Sequence, residues 1–295
     1  MFSIICCSVR PDSAEALKQN IKATIGNCDY ETIFIDNRNT GNGICKVYNR
    51  GAEAAKYDYL CFVHEDIEFL TPAWGEIIAA KLREEDCGVI GFAGSIIRTN
   101  HPIGWRMGID DMRAHYVQHS RKKIHTVHTN NSKNEDYSAV VTLDGMCLIV
   151  RRDVWEQNRF DEELLVGFHG YDIDFSLSVS RNYKNWVCNV VEMAHFSEGA
   201  YSNDWARTMV ELNQKWQKHL PMTAYTMGDK ELAKRQQEGE FYYIRFMWQK
   251  GFFNHVSLKD GLRHFKKYPA HKSSWKLLMK YAVYRLRHRK NTKKK

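Results

Sequence analysis

The chain has 295 residues, with 43 Lys and Arg against 35 Asp and Glu, a formal charge of +8. A length of this order suits one large or two small domains, and 43% hydrophobic with 26% charged residues excludes a disordered chain. Charge is unevenly placed: residues 262–295 carry 13 Lys and Arg and no acid, which leaves the first 261 residues at −5. This is an acidic body with a basic tail, not a nucleic-acid binder with cations spread over a folded face.

Residues 2–9 form an apolar strand, and this N-terminus lacks the basic and long apolar regions of a signal peptide. A helix is expected next, capped by Asp12 with Glu15 three residues on, its apolar positions Ala14, Leu17, Ile21 and Ile25. Residues 30–36 make a second strand with a polar end, and a Gly/Asn loop leads to a helix over 44–55. Residues 59–63 make a third strand ending in His64-Glu65-Asp66. Thr71-Pro72 is expected to open a helix with threonine as cap. Residues 89–93 make a fourth strand. This alternation implies a mostly parallel sheet covered on both faces, with ligands at the carboxyl ends of its strands.

Residues 98–137 break the pattern and read as a long polar loop. Its His115, His119, His125 and His128 have spacings permissible for zinc, but no cysteine joins them, and a solvated loop is the leading expectation. Strands are expected over 139–143 and 146–150, a helix ends near Ser180, and a strand over 186–191 delivers His195. Trp205, Met209, Leu212 and Trp216 form a core-facing helical stripe, and the chain beyond Lys230 reads as amphipathic helix. The eight cysteines form no C-x-x-C pair and sit mostly in apolar runs, as structural thiols of a reducing compartment do. No apolar run reaches transmembrane length.

Three polar clusters follow strands or open helices. Carboxylates at His64-Glu65-Asp66 are costly after a buried strand unless solvated, paired or metal-bound. Asp172 and Asp174 stand near a helix N-terminus, where negative charge is favoured and a base could act. His195 follows the last apolar strand.

In order along residues 2–200, these pieces resemble an inverting glycosyltransferase of the family 2 type with the GT-A fold. The resemblance rests on Ser8-Val9-Arg10-Pro11, Phe34-Ile35-Asp36-Asn37, the Asn49-Arg50-Gly51 helix, and His64-Glu65-Asp66 where relatives carry D-x-D. It continues through Asp144-Gly145-Met146, Phe160-Asp161-Glu162, Tyr171-Asp172-Ile173-Asp174 where relatives carry E-D-x-D, and His195. The H-E-D form and the D-N-R-N loop look most like a streptomycin-biosynthesis-type subfamily. The resemblance implies a Rossmann-like, mostly parallel sheet flanked by helices over 1–220, with a basic helical extension over 221–295. It implies a nucleotide-diphosphate sugar donor, UDP-linked, bound by Ser8, Arg10, Asp36, Asn37, Asn49, His64 and Glu65. Asp66 and His195 would hold Mn²⁺ or Mg²⁺, Asp172 would be the base, and Asp144, Gly145 and Tyr171 would lie on the acceptor side. His64 and Tyr171 depart from the pattern and keep a catalytically silent nucleotide-sugar binder as an alternative, while a sugar nucleotidyltransferase lacks its glycine-rich loop. A glycan or lipid-linked acceptor, bacterial surface-polysaccharide assembly and a cytoplasmic location follow by analogy. The tail, residues 262–295, is expected on an anionic membrane surface at the inner face of the cell membrane, with packing on its own domain or on a second subunit as the other reading and no nucleic acid.

Overall fold

The computed structural model describes residues 1–119, 125–131, 133–197, 199 and 201–292. Strand β1 (Phe2–Ser8), helix α1 (Pro11–Thr24), β2 (Tyr30–Asp36), α2 (Ile44–Ala54) and β3 (Tyr59–Val63) alternate as expected. A short β4 (Ile67–Phe69) precedes α3 (Trp74–Leu82) and β5 (Cys87–Gly91). Then come β6 (Ala93–Ser95), β7 (Ile97–Arg98), β8 (Met112–His119), β9 (His125–Asn130), β10 (Tyr137–Val140), β11 (Thr142–Leu143) and β12 (Cys147–Arg151). Helices α4 (Arg152–Asn158) and α5 (Tyr171–Val179) lead to β13 (Lys184–Cys188), β14 (Met193–His195) and α6 (Asn203–Trp216). The chain continues through β15 (Met222–Thr223), α7 (Asp229–Lys250), α8 (Leu258–Lys267) and α9 (Lys272–Thr292).

The main sheet has the order β10-β13-β5-β12-β3-β1-β2. Five strands run one way, and β12 and β10 run against them. Both faces are covered, so consecutive residues serve different cores. Ile4 packs towards Leu17 and Ile21 of α1 and Trp74 and Ile78 of α3. Ile5 packs towards Ile44 and Tyr48 of α2 and Phe175 of α5. A second sheet, β11-β6-β8-β14-β4 with β9 on β8, stands at the carboxyl end of the first.

Several local expectations are corrected. Helix α1 starts at Pro11, with Arg10 as N-cap and no side-chain cap bond, because proline's fixed φ and missing N–H suit the first helical position. Helix α3 starts at Trp74 behind Ala73, and the Thr71 hydroxyl instead accepts from the Glu192 amide. The stretch 98–137 holds the antiparallel pair β8–β9 rather than a loop. Both faces of the pair mix apolar and polar residues, which hides the strands from hydrophobic patterning. His115 and His119 lie four residues apart on one strand, about 13 Å along it. His128 pairs with Tyr116 and therefore faces the other side. The expected strand over 186–191 ends at Cys188, and His195 closes a separate strand. All eight cysteines are free, and six are buried.

The helical extension is not set apart. Ile173 and Leu177 of α5 and Trp205, Met209, Leu212 and Trp216 of α6 form one cluster with Met247, Trp248, Leu277 and Tyr284 of the extension. No described helix is long and apolar enough to cross a membrane.

Candidate active site

Strand pairing at the carboxyl end of the sheet assembles the site. His64 leaves β3, and its amide donates to the Met146 carbonyl, because β12 returns beside β3. This brings Asp144 and Gly145 next to His64. Strand β14 pairs with β4 in the register His195↔Ile67, which sets His195 against Asp66.

Glu65 turns inward and is buried. It accepts from the Ser8 hydroxyl at 2.7 Å, the Val9 and Arg10 amides at 3.0 and 2.9 Å, and Arg10 Nε at 3.0 Å. Glu65, expected at the donor, shapes the β1–α1 loop, and the Ser8 hydroxyl serves the same task. Asn49, also expected at the donor, lies on α2. It is buried and bonds the Phe160 carbonyl and amide and the Glu162 carboxylate, which ties α2 to the loop before α5. Asp36 is exposed at the end of β2, forked by Arg38, and the neighbouring Asn37 donates to the Asn42 carbonyl.

Asp66 divides its two oxygens. Arg10 donates to Oδ2 at 2.8 Å, while the buried Oδ1 has no hydrogen-bond partner among the described residues. Two imidazoles face that oxygen, His64 Nδ1 at 3.9 Å and His195 Nε2 at 3.7 Å. The surrounding bonds assign their protons. The Gln118 amide nitrogen donates to the carbonyls of His119, His195 and Ser197, so its Oε1 must face His195 Nδ1 at 3.3 Å. A carbonyl oxygen only accepts, so Nδ1 carries the proton and Nε2 offers a lone pair. The Tyr171 hydroxyl donates to the Gly145 carbonyl at 2.9 Å and therefore accepts from His64 Nε2 at 2.7 Å. His64 Nδ1 is then the lone-pair nitrogen, and burial lowers the pKa of this ring, which favours its neutral form. Three ligand atoms thus converge within 4.8 Å, and Ser197 Oγ stands 3.2 Å from His195 Nε2. With only the Ser197 hydroxyl proton near them, the converging lone pairs fit a divalent cation, and the Gln118 and Tyr171 contacts are the outer support that metal-bound histidines use.

Tyr171, expected beside the acceptor, points inward on this account. Its ring packs on Tyr48 and its hydroxyl holds His64. Gly145 leaves the space for it, since a Cβ there would lie 2.1 Å from the Tyr171 oxygen. The next residue lies near Asp144. Asp172 lies in the first turn of α5, and its pKa is pushed up to about 7, first by burial and then by the nearby Asp144 charge. Amides of the helix start and of Gly145 oppose that rise. Asp174, its companion in sequence, is consumed by Lys215 and Trp216 Nε1 at 2.8 and 2.7 Å. Sequence reading missed Gln118, Ser197 and Phe168. Phe168 is exposed and lies 5.6 Å from the His64 ring, a platform on which a sugar can stack. None of the three carries a signal of its own in the sequence, because each gains meaning only through its partner.

A family model described as "Glycosyltransferase like family" matches residues 4–216. The chain belongs to this glycosyltransferase-like family. Its fold is GT-A, and solved glycosyltransferase structures superpose on almost its whole length. Staphylococcus aureus TarS 1–349 in complex with UDP has a TM-score of 0.54 at 12% identity, over 98% of this chain and 91% of that one. The TarS complex with UDP-GlcNAc gives 0.53 at 12% identity, over 98% and 92%. GalNAc-T7 with UDP, GalNAc and Mn²⁺ gives 0.51 at 9% identity, over 98% of this chain and 58% of that one. The glycosyltransferase-like chain therefore spans little more than half of the GalNAc-T7 structure. No curated protein matches it.

Proposed function

We propose that this chain transfers a sugar from a nucleotide-diphosphate donor, UDP-linked, to an acceptor hydroxyl with inversion and with help from a divalent metal, Mn²⁺ or Mg²⁺. The observation that carries the reading is the convergence of His64 Nδ1 and His195 Nε2 on the orphaned Oδ1 of Asp66. The UDP and Mn²⁺ of similarly folded structures add support. His64, Asp66 and His195 would hold the ion, which when bound supplies positive charge to the leaving diphosphate.

The protein's own groups do the rest. The loop that Glu65 shapes presents Arg10, and Asp36 and Asn37 end β2 on the same edge, where a nucleotide meets the sheet. Asp172 takes the acceptor proton as the acceptor oxygen bonds to the anomeric carbon. The bond from that carbon to the diphosphate breaks, and its electron pair leaves with the phosphate. Attack from the face opposite the leaving group inverts the centre. Asp144 lies on the acceptor side, and Phe168 covers the sugar. The coupled His64–Tyr171 pair supports an active enzyme over a silent binder, since the two departures from the family pattern form one hydrogen-bonded unit. The H-E-D and D-N-R-N forms support the streptomycin-biosynthesis-type subfamily, and a glycan or lipid-linked acceptor in surface-polysaccharide assembly is the matching context.

The test is donor turnover by purified protein over a panel of nucleotide sugars, with and without Mn²⁺. Asp172→Asn should lose transfer by about a thousandfold or more while keeping donor affinity in titration calorimetry. Near-normal turnover in that variant would overturn the assignment of the base.

A further inference from the structure

Helix α9 has two apolar faces, and only one of them is covered. Leu277 and Tyr284 are buried, and Tyr281 packs on Trp248 and Phe253, which fixes this side against the protein. Trp275, Met279, Val283 and Leu286 are 56%, 68%, 54% and 58% exposed. At about 100° per residue these four fall on one stripe, about 180° from the buried row. Lys276, Lys280 and Arg287 border the stripe on one flank, and Arg285 and Arg289 border it on the other. Helix α8 extends the apolar surface. Leu258 and Leu262 are exposed, and Phe265, one turn on, meets Trp275 edge-on at 4.5 Å.

We infer that this outward face of α8 and α9 docks on an anionic lipid surface, a function outside the sugar-transfer site. Large apolar side chains in the middle of a helix face, with long cationic ones on its rims, match a bilayer interface. The stripe enters the acyl boundary while lysine and arginine heads reach the headgroups. Charge selects this occupant over the others. The segment 262–295 holds 13 cations and no acid, so two copies meeting through the stripe would bring like charges together. Nucleic acid would meet the cations but leave the central hydrophobic row against phosphate and water. Anionic lipid satisfies both parts of the face at once.

The test is sedimentation of the full chain with vesicles of phosphatidylcholine alone and with vesicles containing about a third phosphatidylglycerol. Binding should be at least about tenfold stronger to the anionic vesicles and should fall as salt rises. The combined Met279→Ser, Val283→Ser and Leu286→Ser variant should lose about a hundredfold in partitioning, with its melting temperature and donor turnover unchanged. Lys276→Glu, Lys280→Glu and Arg287→Glu, which leave the hydrophobic row intact, should abolish the preference for anionic lipid. Any of three results would overturn the inference: equal sedimentation of wild type and serine variant, a wild-type dimer in lipid-free solution that the serine changes dissolve, or tight nucleic-acid binding that the serine changes leave intact. Because donor turnover is measured alongside, failure of the surface and failure of the sugar-transfer reading are separate outcomes.

Discussion

Asp172 and Asp174 stand two residues apart on α5 and do opposite work. Asp174 is paired with Lys215 and accepts from Trp216 Nε1, while Asp172 has no such paired cation among the described residues and its pKa is pushed up to about 7, mainly by burial. Only the ionised form accepts a proton, so turnover should fall about tenfold per pH unit below 7 and level off above it. The linkage runs the other way. A folded pKa above the unfolded value of about 3.9 means that the fold binds the proton better, so stability declines as pH rises from about 4 to 7. Asp172→Asn, inactive, should therefore melt above the wild type at pH values beyond that window, by scanning calorimetry. Tyr171 works at one remove. Tyr171→Phe keeps the ring and removes the hydroxyl that fixes His64 Nε2–H, freeing the ring to turn. Mn²⁺ affinity, read by electron paramagnetic resonance, should weaken about tenfold to a hundredfold while far-ultraviolet dichroism stays the same.

Among the elements, the antiparallel pair β8–β9, which supplies Gln118 beside His195, was the least legible. The parallel half, β1, β2 and β3 with α1 and α2, could be read from runs such as Ile4-Ile5-Cys6-Cys7, since a doubly covered strand is apolar at every position. The β8–β9 pair is His-rich, and only its cross-strand register makes it regular. Asp66, Asp172 and His195 stood out in the sequence because each carries chemistry at a strand end or helix start. Gln118 did not, because a glutamine is informative only once β14 lies parallel to β8 and sets it beside His195. The contacts of Glu65 were hidden for a related reason: sequence shows a carboxylate at a strand end but not that the chain turns it towards Ser8 and the Arg10 amide. Gln118→Ala should leave the β8–β9 pair folded, since the backbone pairing is untouched, and should cost about tenfold in metal affinity by titration calorimetry.

At the scale of the whole molecule, a division into 1–220 and 221–295 would pass through a hydrophobic cluster. Trp205, Met209 and Trp216 lie on one side of it, and Met247, Trp248 and Leu277 lie on the other. Strand β15 also pairs with β7, and Arg235 meets Asp111 at 2.6 Å. A chain ending at residue 220 would leave large aromatic surfaces bare, so it should aggregate or melt well below the full chain, as light scattering during a thermal ramp would report.

The same cluster joins α5, through Ile173 and Leu177, to α9, through Leu277 and Tyr284. One helix carries the carboxylate of Asp172, and the other carries the outward row of Trp275 to Leu286. With a packed core between them in place of a tether, the two cannot drift apart, and the molecule acts as a ruler. If α9 lies on lipid, Asp172 stands at one fixed height above it. A lipid-anchored acceptor would then be selected by its reach as well as its chemistry, with shorter or longer stems passing beneath or beyond the carboxylate.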